Sequence, residues 1–213
     1  MAIKKDELIL VVPVEKLMAH MGEWQGLRTD SMNLFTGCVR EHGMFMLRSA
    51  AECDERYKQI IPYIVLCDSR DIFVMQRRDT ASEQRLRCKK SIGVGGHICK
   101  QDFDATDIRA FDVESLAWAR REIDEEIANL SSCDIENGCC IGFINDDSNP
   151  VGRVHCGVVY KIFITKNKDQ IVIRDEHKEG RFESMVDCKK VCASQNNEEH
   201  NFESWSSIVL QQW

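Results

Sequence analysis

Runs of apolar residues and their spacing divide the chain into candidate strands and helices. The opening ELILVVPVEKLM reads as a strand, a proline-marked turn and a short helix. Residues 20–56 show no clean period. IPYIVLC from Ile61 and DIFVMQRR from Asp71 are two β-rich runs joined by Asp68-Ser69-Arg70, which predicts a hairpin. The polar, basic stretch DTASEQRLRCKK leads into SIGVGGHI, and residues 99–111 read as a loop. GCCIGFIND, RVHCGVVYKIFIT and QIVIRD are three further strand-like runs. FESMVDCKKVC and NFESWSSIVLQQW predict two late helices flanking the polar linker SQNNEEHN. Strands and helices mix without regular βαβ alternation, and no internal repeat is present. That order predicts an α+β fold or a mixed sheet between helices.

The strongest helical pattern is ESLAWARREIDEEIANL, residues 114–130. Leu116, Ala119, Ile123, Ile127 and Leu130 recur at three- and four-residue steps and form one stripe. Glu122, Glu125 and Glu126 stand at i, i+3 and i+4 and share a second face, with Arg121 one turn before Glu125. Like charges at this spacing cost several tenths of a kcal/mol per pair in a bare helix. A divalent cation removes that cost, and Mg²⁺ prefers hard oxygen ligands beside substrate phosphates. The plain alternative is a solvated acidic face, the commoner reading of three glutamates taken alone.

Composition narrows the classes. The chain has 213 residues, 43% of them hydrophobic, and a formal net charge of −7. This fits one domain, or one domain with an appended element. The acidic balance argues against a stable nucleic-acid partner, which needs clustered positive charge. The eleven cysteines are odd in number. The N-terminal segment carries no signal-peptide core, so the cysteines read as reduced thiols in a cytoplasmic protein. No apolar run reaches the roughly 18 residues of a membrane helix.

Local charge and glycine usage add candidates. Arg77, Arg78, Arg85, Arg87, Lys89 and Lys90 crowd the segment before SIGVGGHI, a local positive patch suited to an anionic substrate or, equally, a solvated loop. Gly93, Gly95 and Gly96 predict a bulge or a close backbone approach. They match neither a dinucleotide fingerprint nor a P-loop. Asp146 and Asp147 in NDDSNP are candidate metal ligands, although Asn, Asp, Ser and Pro more often build turns. His155 lies on a strand where it can face substrate or pack. Trp118 falls one turn before Glu122 and can stack on a base or pack under a loop. Cys139-Cys140 and Cys188-x3-Cys192 lack zinc-site spacing and read as core thiols.

Arg121-Glu122-Ile123-Asp124-Glu125-Glu126 matches R-E-U-x-E-E, with U a bulky aliphatic, at every position. With Gly95-Gly96 upstream, the chain resembles the Nudix hydrolases, whose box is G-x5-E-x7-R-E-U-x-E-E-x-G-U. KQIIPYIVL, SIGVGGHI and FINDDSNPVGRVHCGVVY are more closely similar to a bacterial subgroup of MutT-like phosphoesterases. The likeness extends to the N-terminal VVPVE and so covers most of the chain. Three departures stand out. Residues 97–120 make a longer connection than the box has. Val113 stands where the box has its first glutamate, with Glu114 one residue off. Ala128 and Asn129 replace the closing glycine and aliphatic residue.

The resemblance implies an α/β/α sandwich with a mixed, curved central sheet. The box helix would lie on one side and the C-terminal helices on the other. Residues 57–213 would form the hydrolase domain, and 1–56 an N-terminal extension packed on it. It implies that Glu122, Glu125 and Glu126 bind Mg²⁺ or Mn²⁺, that Arg121 orients a glutamate, and that Gly95 and Gly96 approach metal or phosphate. Arg77, Arg78 and His155 are then substrate-binding candidates. The implied reaction is water attack on phosphorus in a nucleoside diphosphate linked to another moiety. The base would be Glu122 or Glu126, or one of Glu176, Glu179 and Glu183 from a later loop. Two other activities compete: a catalytically silent nucleotide-binding sensor, and an isomerase needing a cysteine such as Cys99 across from a glutamate. A homodimer is left open.

Overall fold

The computed structural model describes residues 6–77, 89–103, 107–131, 135–175, 178–194 and 202–213. In chain order the elements are β1 (Leu8–Pro13), α1 (Val14–Met21), β2 (Gly26–Arg28), α2 (Met32–His42), β3 (Met44–Leu47), α3 (Arg48–Ala51), β4 (Tyr57–Cys67), β5 (Asp71–Arg77), β6 (Lys90–Ser91) and β7 (Gly93–Gly95). They continue with α4 (Ala117–Glu126), β8 (Ile127–Ala128), β9 (Ile135–Asn145), α5 (Pro150–Arg153), β10 (His155–Ile164), β11 (Val172–Ile173), β12 (Lys178–Ser184), α6 (Met185–Ala193) and α7 (Ser204–Gln212). The main sheet follows the order β12-β5-β4-β10-β9-β2, with β1 and β3 attached through β4. This is the mixed helix-and-strand architecture expected from the element order.

Contacts divide the chain into two compact units: Met1–Pro62, Gly96–Trp118 and Cys140–Val158 form one, and Tyr63–Gly95, Ala119–Cys139 and Val159–Trp213 the other. In the first unit, β1 pairs antiparallel with β3 (Leu8↔Leu47 to Val11↔Met44) and with β4 (Val11↔Gln59 to Pro13↔Tyr57). All of Ile9–Val12 is buried, as a strand covered on both faces requires. Helices α1 and α2 bury Leu17, Met21, Phe35, Cys38 and Val39, and Phe35 stacks on Phe143 with ring centroids 4.1 Å apart. The elements in 20–56 escape a sequence reading for a physical reason. β2, β3 and α3 are three or four residues long, and the buried face of α2 carries Thr36 beside Phe35 and Val39.

In the second unit, β5 pairs along its whole length with β12, from Lys178↔Arg77 to Ser184↔Asp71. Asp68 builds the predicted hairpin turn: its Oδ1 accepts from Arg70 N–H and Asp71 N–H, both at 2.7 Å. Gly93 is required by a close approach, since a Cβ there would lie 2.1 Å from the ring of Tyr63. Tyr63 in turn bonds Ser206 of α7 at 2.8 Å. The segment KEGRFES, expected partly as loop and partly as helix, is strand β12, and helix α6 begins only at Met185. The linker SQNNEEHN lies outside the described residues except for Ser194. Among the described residues no helix is long and apolar enough to cross a membrane.

Candidate functional site

Helix α4 is shorter than the sequence pattern predicts. It runs from Ala117 to Glu126, not from 114 to 130. At its start, Ser115 Oγ accepts from Ala117 N–H at 3.3 Å and Asp112 Oδ1 accepts from Glu114 N–H at 3.0 Å, so Glu114 lies in a turn outside the helix. At its end, Arg174 donates from Nε to the carbonyls of Asp124 (3.1 Å) and Ile127 (3.0 Å), and its N–H bonds Glu126 O at 2.9 Å. These bonds satisfy carbonyls that a longer helix would have used. Ile127 and Ala128 then pair with β11, and Asn129 turns the chain in the left-handed region at φ 60°. Ala119, Ile123 and Ile127 of the predicted stripe are buried, while Leu116 and Leu130 lie beyond the helix and are half-buried.

The acidic face is held by cations of the same unit. Arg121 is 2.9 Å from Glu122 Oε1 through Nη2 and 3.1 Å from Glu125 Oε2 through Nη1. Lys178 of β12 is 3.0 Å from Glu126 Oε2 and 3.5 Å from Asp175. Glu122 is buried beside Ile123, whereas Glu125 is exposed. The ligand atoms of this trio do not form one of the three-residue clusters that converge within 4.8 Å among the described residues.

The other predicted positions fall as follows. Gly95 ends β7 opposite Tyr63 and is exposed. Arg77 ends β5, its side chain and all of Arg78, Arg85 and Arg87 lying outside the described residues, as does Glu176. Glu179 and Glu183 stand on strand β12 and not on a loop. Glu183 has both oxygens engaged, by Lys90 at 2.8 Å and Arg181 at 2.8 Å. Trp118 packs in the first unit against Phe103 and Phe111, at 4.5 and 5.4 Å between centroids, and donates to Asp112 O at 2.7 Å. Its ring is therefore part of an aromatic cluster with Phe103 and Phe111, the packing alternative. Val113 is buried. A cavity of about 560 Å³ beside the β4–β5 turn, lined by Asp68, Ser69 and residues 163–170, contains none of the predicted site residues.

NDDSNP is a turn. Asp146 accepts from Ser148 N–H and Oγ and from Asn149 Nδ2, at 3.2, 2.5 and 3.2 Å. Asn149 caps α5 by accepting from Gly152 N–H at 2.9 Å, with Pro150 at the first helical position. Asp147 accepts from Lys58 Nζ and Gln25 Nε2, both at 2.6 Å, and from Asn145 at 3.1 Å. Lys58 is only 1% exposed and donates also to Gly152 O at 2.7 Å. Burial pushes the Asp147 pKa up, but the bonds from Lys58, Gln25 and Asn145 outweigh it and hold the group below the ordinary 3.8.

Sequence reasoning passed over Lys58, Gln59, Glu52 and His97. Gln59 is fully buried, and its Oε1 lies 2.9 Å from His97 Nε2. His155 heads β10 with Nδ1 at 2.7 Å from Val151 O, its ring edge-on to His97. Burial lowers the His155 pKa from 6.5, against the Val151 bond and the charge of Glu52. The polar pair Lys58-Gln59 inside an otherwise apolar strand was the available signal. The described cysteines are free thiols; Cys188 is buried as expected, but Cys139 is exposed and Cys140 and Cys192 are half-buried.

The chain thus carries R-E-U-x-E-E on α4 within a mixed helix-and-strand architecture. Over 97% of both chains it is similar to the crystal structure of Tm1382, a putative Nudix hydrolase, with a TM-score of 0.76 and 26% identity. The chain is also similar to protein YmaB of Bacillus subtilis (strain 168), at 29% identity over 211 residues and 97% of each chain. No family model matches it.

Proposed function

We propose that this chain is a metal-dependent phosphohydrolase that cleaves the diphosphate bond of a nucleoside diphosphate linked to another moiety. The observation that supports the reading is the acidic face of α4, with Arg121 between Glu122 and Glu125 and Lys178 on Glu126. The donor set is all carboxylate oxygen, which fits Mg²⁺ or Mn²⁺, and Glu122, Glu125 and Glu126 are the residues that would hold it. A bound divalent ion supplies Lewis acidity and a lowered pKa for attacking water.

The remaining work belongs to the chain. Arg121 fixes the rotamers of Glu122 and Glu125 by bridging them. Lys178 neutralises Glu126 until a substrate phosphate competes for the ammonium. A carboxylate takes the proton of the attacking water. Glu122, Glu126, Glu179 and Glu176 are the candidates, because the oxygens of Glu183 are both committed to cations. Gly95, Gly96, Arg77 and Arg78 are assigned to the phosphates; His155 receives a different role below.

A nucleotide sensor without turnover is the second reading, favoured by the buried Val113 in place of the first box glutamate. Purified protein with Mg²⁺ or Mn²⁺ and a panel of nucleoside diphosphate derivatives separates them. The hydrolase reading expects turnover that falls on the order of 100-fold or more in Glu125→Gln. Ligand-induced stabilisation with no product supports the sensor. No cleavage above background and no difference between wild type and Glu125→Gln sinks the hydrolase.

A further inference from the structure

Away from the acidic helix, three metal-ligating side chains of the first unit meet. Glu52 follows α3, His97 follows the glycine pair and His155 begins β10, and one ligand atom from each lies within 4.8 Å of the others. The two imidazole centroids are 5.9 Å apart. We propose that Glu52, His97 and His155 form a binding site for one divalent transition-metal ion of the zinc class, built from residues other than the box glutamates.

The scaffold explains why residues so distant in sequence converge. Ile9, Val11, Ala51 and Cys99 form one buried apolar cluster, with Met46 and Tyr57 packed on it. Ala51 precedes Glu52, and Cys99 lies two residues after His97. Strand β1 joins these segments directly: Leu10 N–H bonds Ile98 O at 2.8 Å, and Ile9 bridges Cys99. β4, the next strand, carries Gln59 opposite Val11. Burial of an apolar cluster thus sets the spacing of polar atoms at its rim.

Hydrogen bonds then select which ring nitrogen carries the lone pair. Carbonyl oxygens only accept, so the contact to Val151 O places the proton of His155 on Nδ1 and leaves Nε2 as its ligand atom. Gln59 Oε1, 2.9 Å from His97 Nε2, holds the second ring from its other side. A ligating histidine bonded through its other nitrogen to a carbonyl is the usual outer shell of a metal site. Gln59 is fully buried. Two neutral imidazoles with one carboxylate suit zinc and its first-row neighbours, where Mg²⁺ prefers oxygen alone. Glu52 also contacts Arg48 at 3.5 Å across one helical turn, a surface pair that exchanges readily.

The first unit holds a second convergent group, His20, Glu41 and His42, which serves as an internal control. There Glu41, itself exposed, already lies 3.8 Å from His20 and 3.6 Å from His42, both half-buried.

The test uses the full chain, untagged and stripped of metal, titrated with Zn²⁺ and with Co²⁺ as a spectroscopic probe. One equivalent of Co²⁺ is expected to give ligand-field bands of a nitrogen–oxygen site, displaced by Zn²⁺. Glu52→Gln and His97→Ala should weaken binding by about 100-fold or more, and Gln59→Leu by 10- to 100-fold, the range for an outer-shell partner. His20→Ala and Glu125→Gln should leave the affinity unchanged. Thermal melting of each metal-free variant identifies misfolding, and Glu52→Gln, on the surface, keeps the test valid should His97→Ala fail to fold. Absence of binding, thiolate-to-cobalt charge transfer, or equal affinity in wild type and Glu52→Gln overturns the site. Affinity is read without turnover, so a failure here is distinct from a failure of the hydrolase reading.

Discussion

The acidic face of α4 and the turn at residues 145–153 both gather charge, and they hold it in opposite ways. On α4, Arg121 and Lys178 reach the glutamates from side chain to side chain, and Glu125 is 57% exposed. In the turn, the ammonium of Lys58 is shut away from water between Asp147 and the Gly152 carbonyl. Asp147 is further tied to Gln25 and Asn145. A charge buried in this manner cannot change partners without a large desolvation penalty. An exposed pair exchanges for less than about 1 kcal/mol. Burial, rather than the number of charges, therefore separates the turn and Glu122 from Glu125, whose carboxylate stands open to exchange.

The largest blow to that contrast comes from the scaffold side. A Cβ on Gly152 would sit 1.7 Å from Asp146 O, a backbone atom that cannot swing aside. Gly152→Ala should cost about 3 kcal/mol or more, at the upper end for forced overpacking, and displace the carbonyl that receives Lys58. Chemical denaturation measures it, and a cost below about 1 kcal/mol would mean that the turn is plastic.

Next in size is Asp147→Asn. It leaves the buried Lys58 ammonium with neutral acceptors alone, the Gly152 carbonyl and the amide oxygen of the substituted side chain, at a cost of about 3 kcal/mol, the low end for a broken buried pair because Asp147 keeps contact with water. The folded pKa of Asp147 lies below 3.8, so its contribution is complete above that pH and fades as pH falls through the folded value. The gap between wild type and Asp147→Asn should hold from neutral pH to about pH 4 and close below it. A gap that stays constant down to pH 2 would show that the charge is not the cause.

The same two regions explain what was legible beforehand. The helix face could be read because its carboxylates are three and four residues apart, a spacing that local geometry alone converts into proximity. The β4–β5 hairpin was legible for the same reason, through Asp68 and its neighbours. Tertiary contacts decided the rest. Glu126 ends its helix because β11 captures Ile127 and Ala128, an event encoded some 45 residues downstream. β12 was hidden because KEGRFES alternates around small and charged residues and becomes a strand by pairing with β5. Glu52, His97 and His155 come together through tertiary packing around β1 and β4, which no local spacing reports.

The smallest expected effect is the sharpest discriminator. Glu125→Gln removes one Arg121 contact but leaves Arg121 2.9 Å from Glu122, and it relieves the like-charge i, i+3 repulsion between Glu122 and Glu125. These terms oppose each other at a few tenths of a kcal/mol each, so stability should change by less than about 0.5 kcal/mol in either direction. The residual difference should shrink further in high salt, because exposed charges are screened. Urea denaturation at low and high ionic strength measures both. A loss above about 2 kcal/mol, insensitive to salt, would place Glu125 in the scaffold with Asp147. A near-neutral result beside a large fall in turnover would instead separate what this face does for folding from what it does for a bound phosphate.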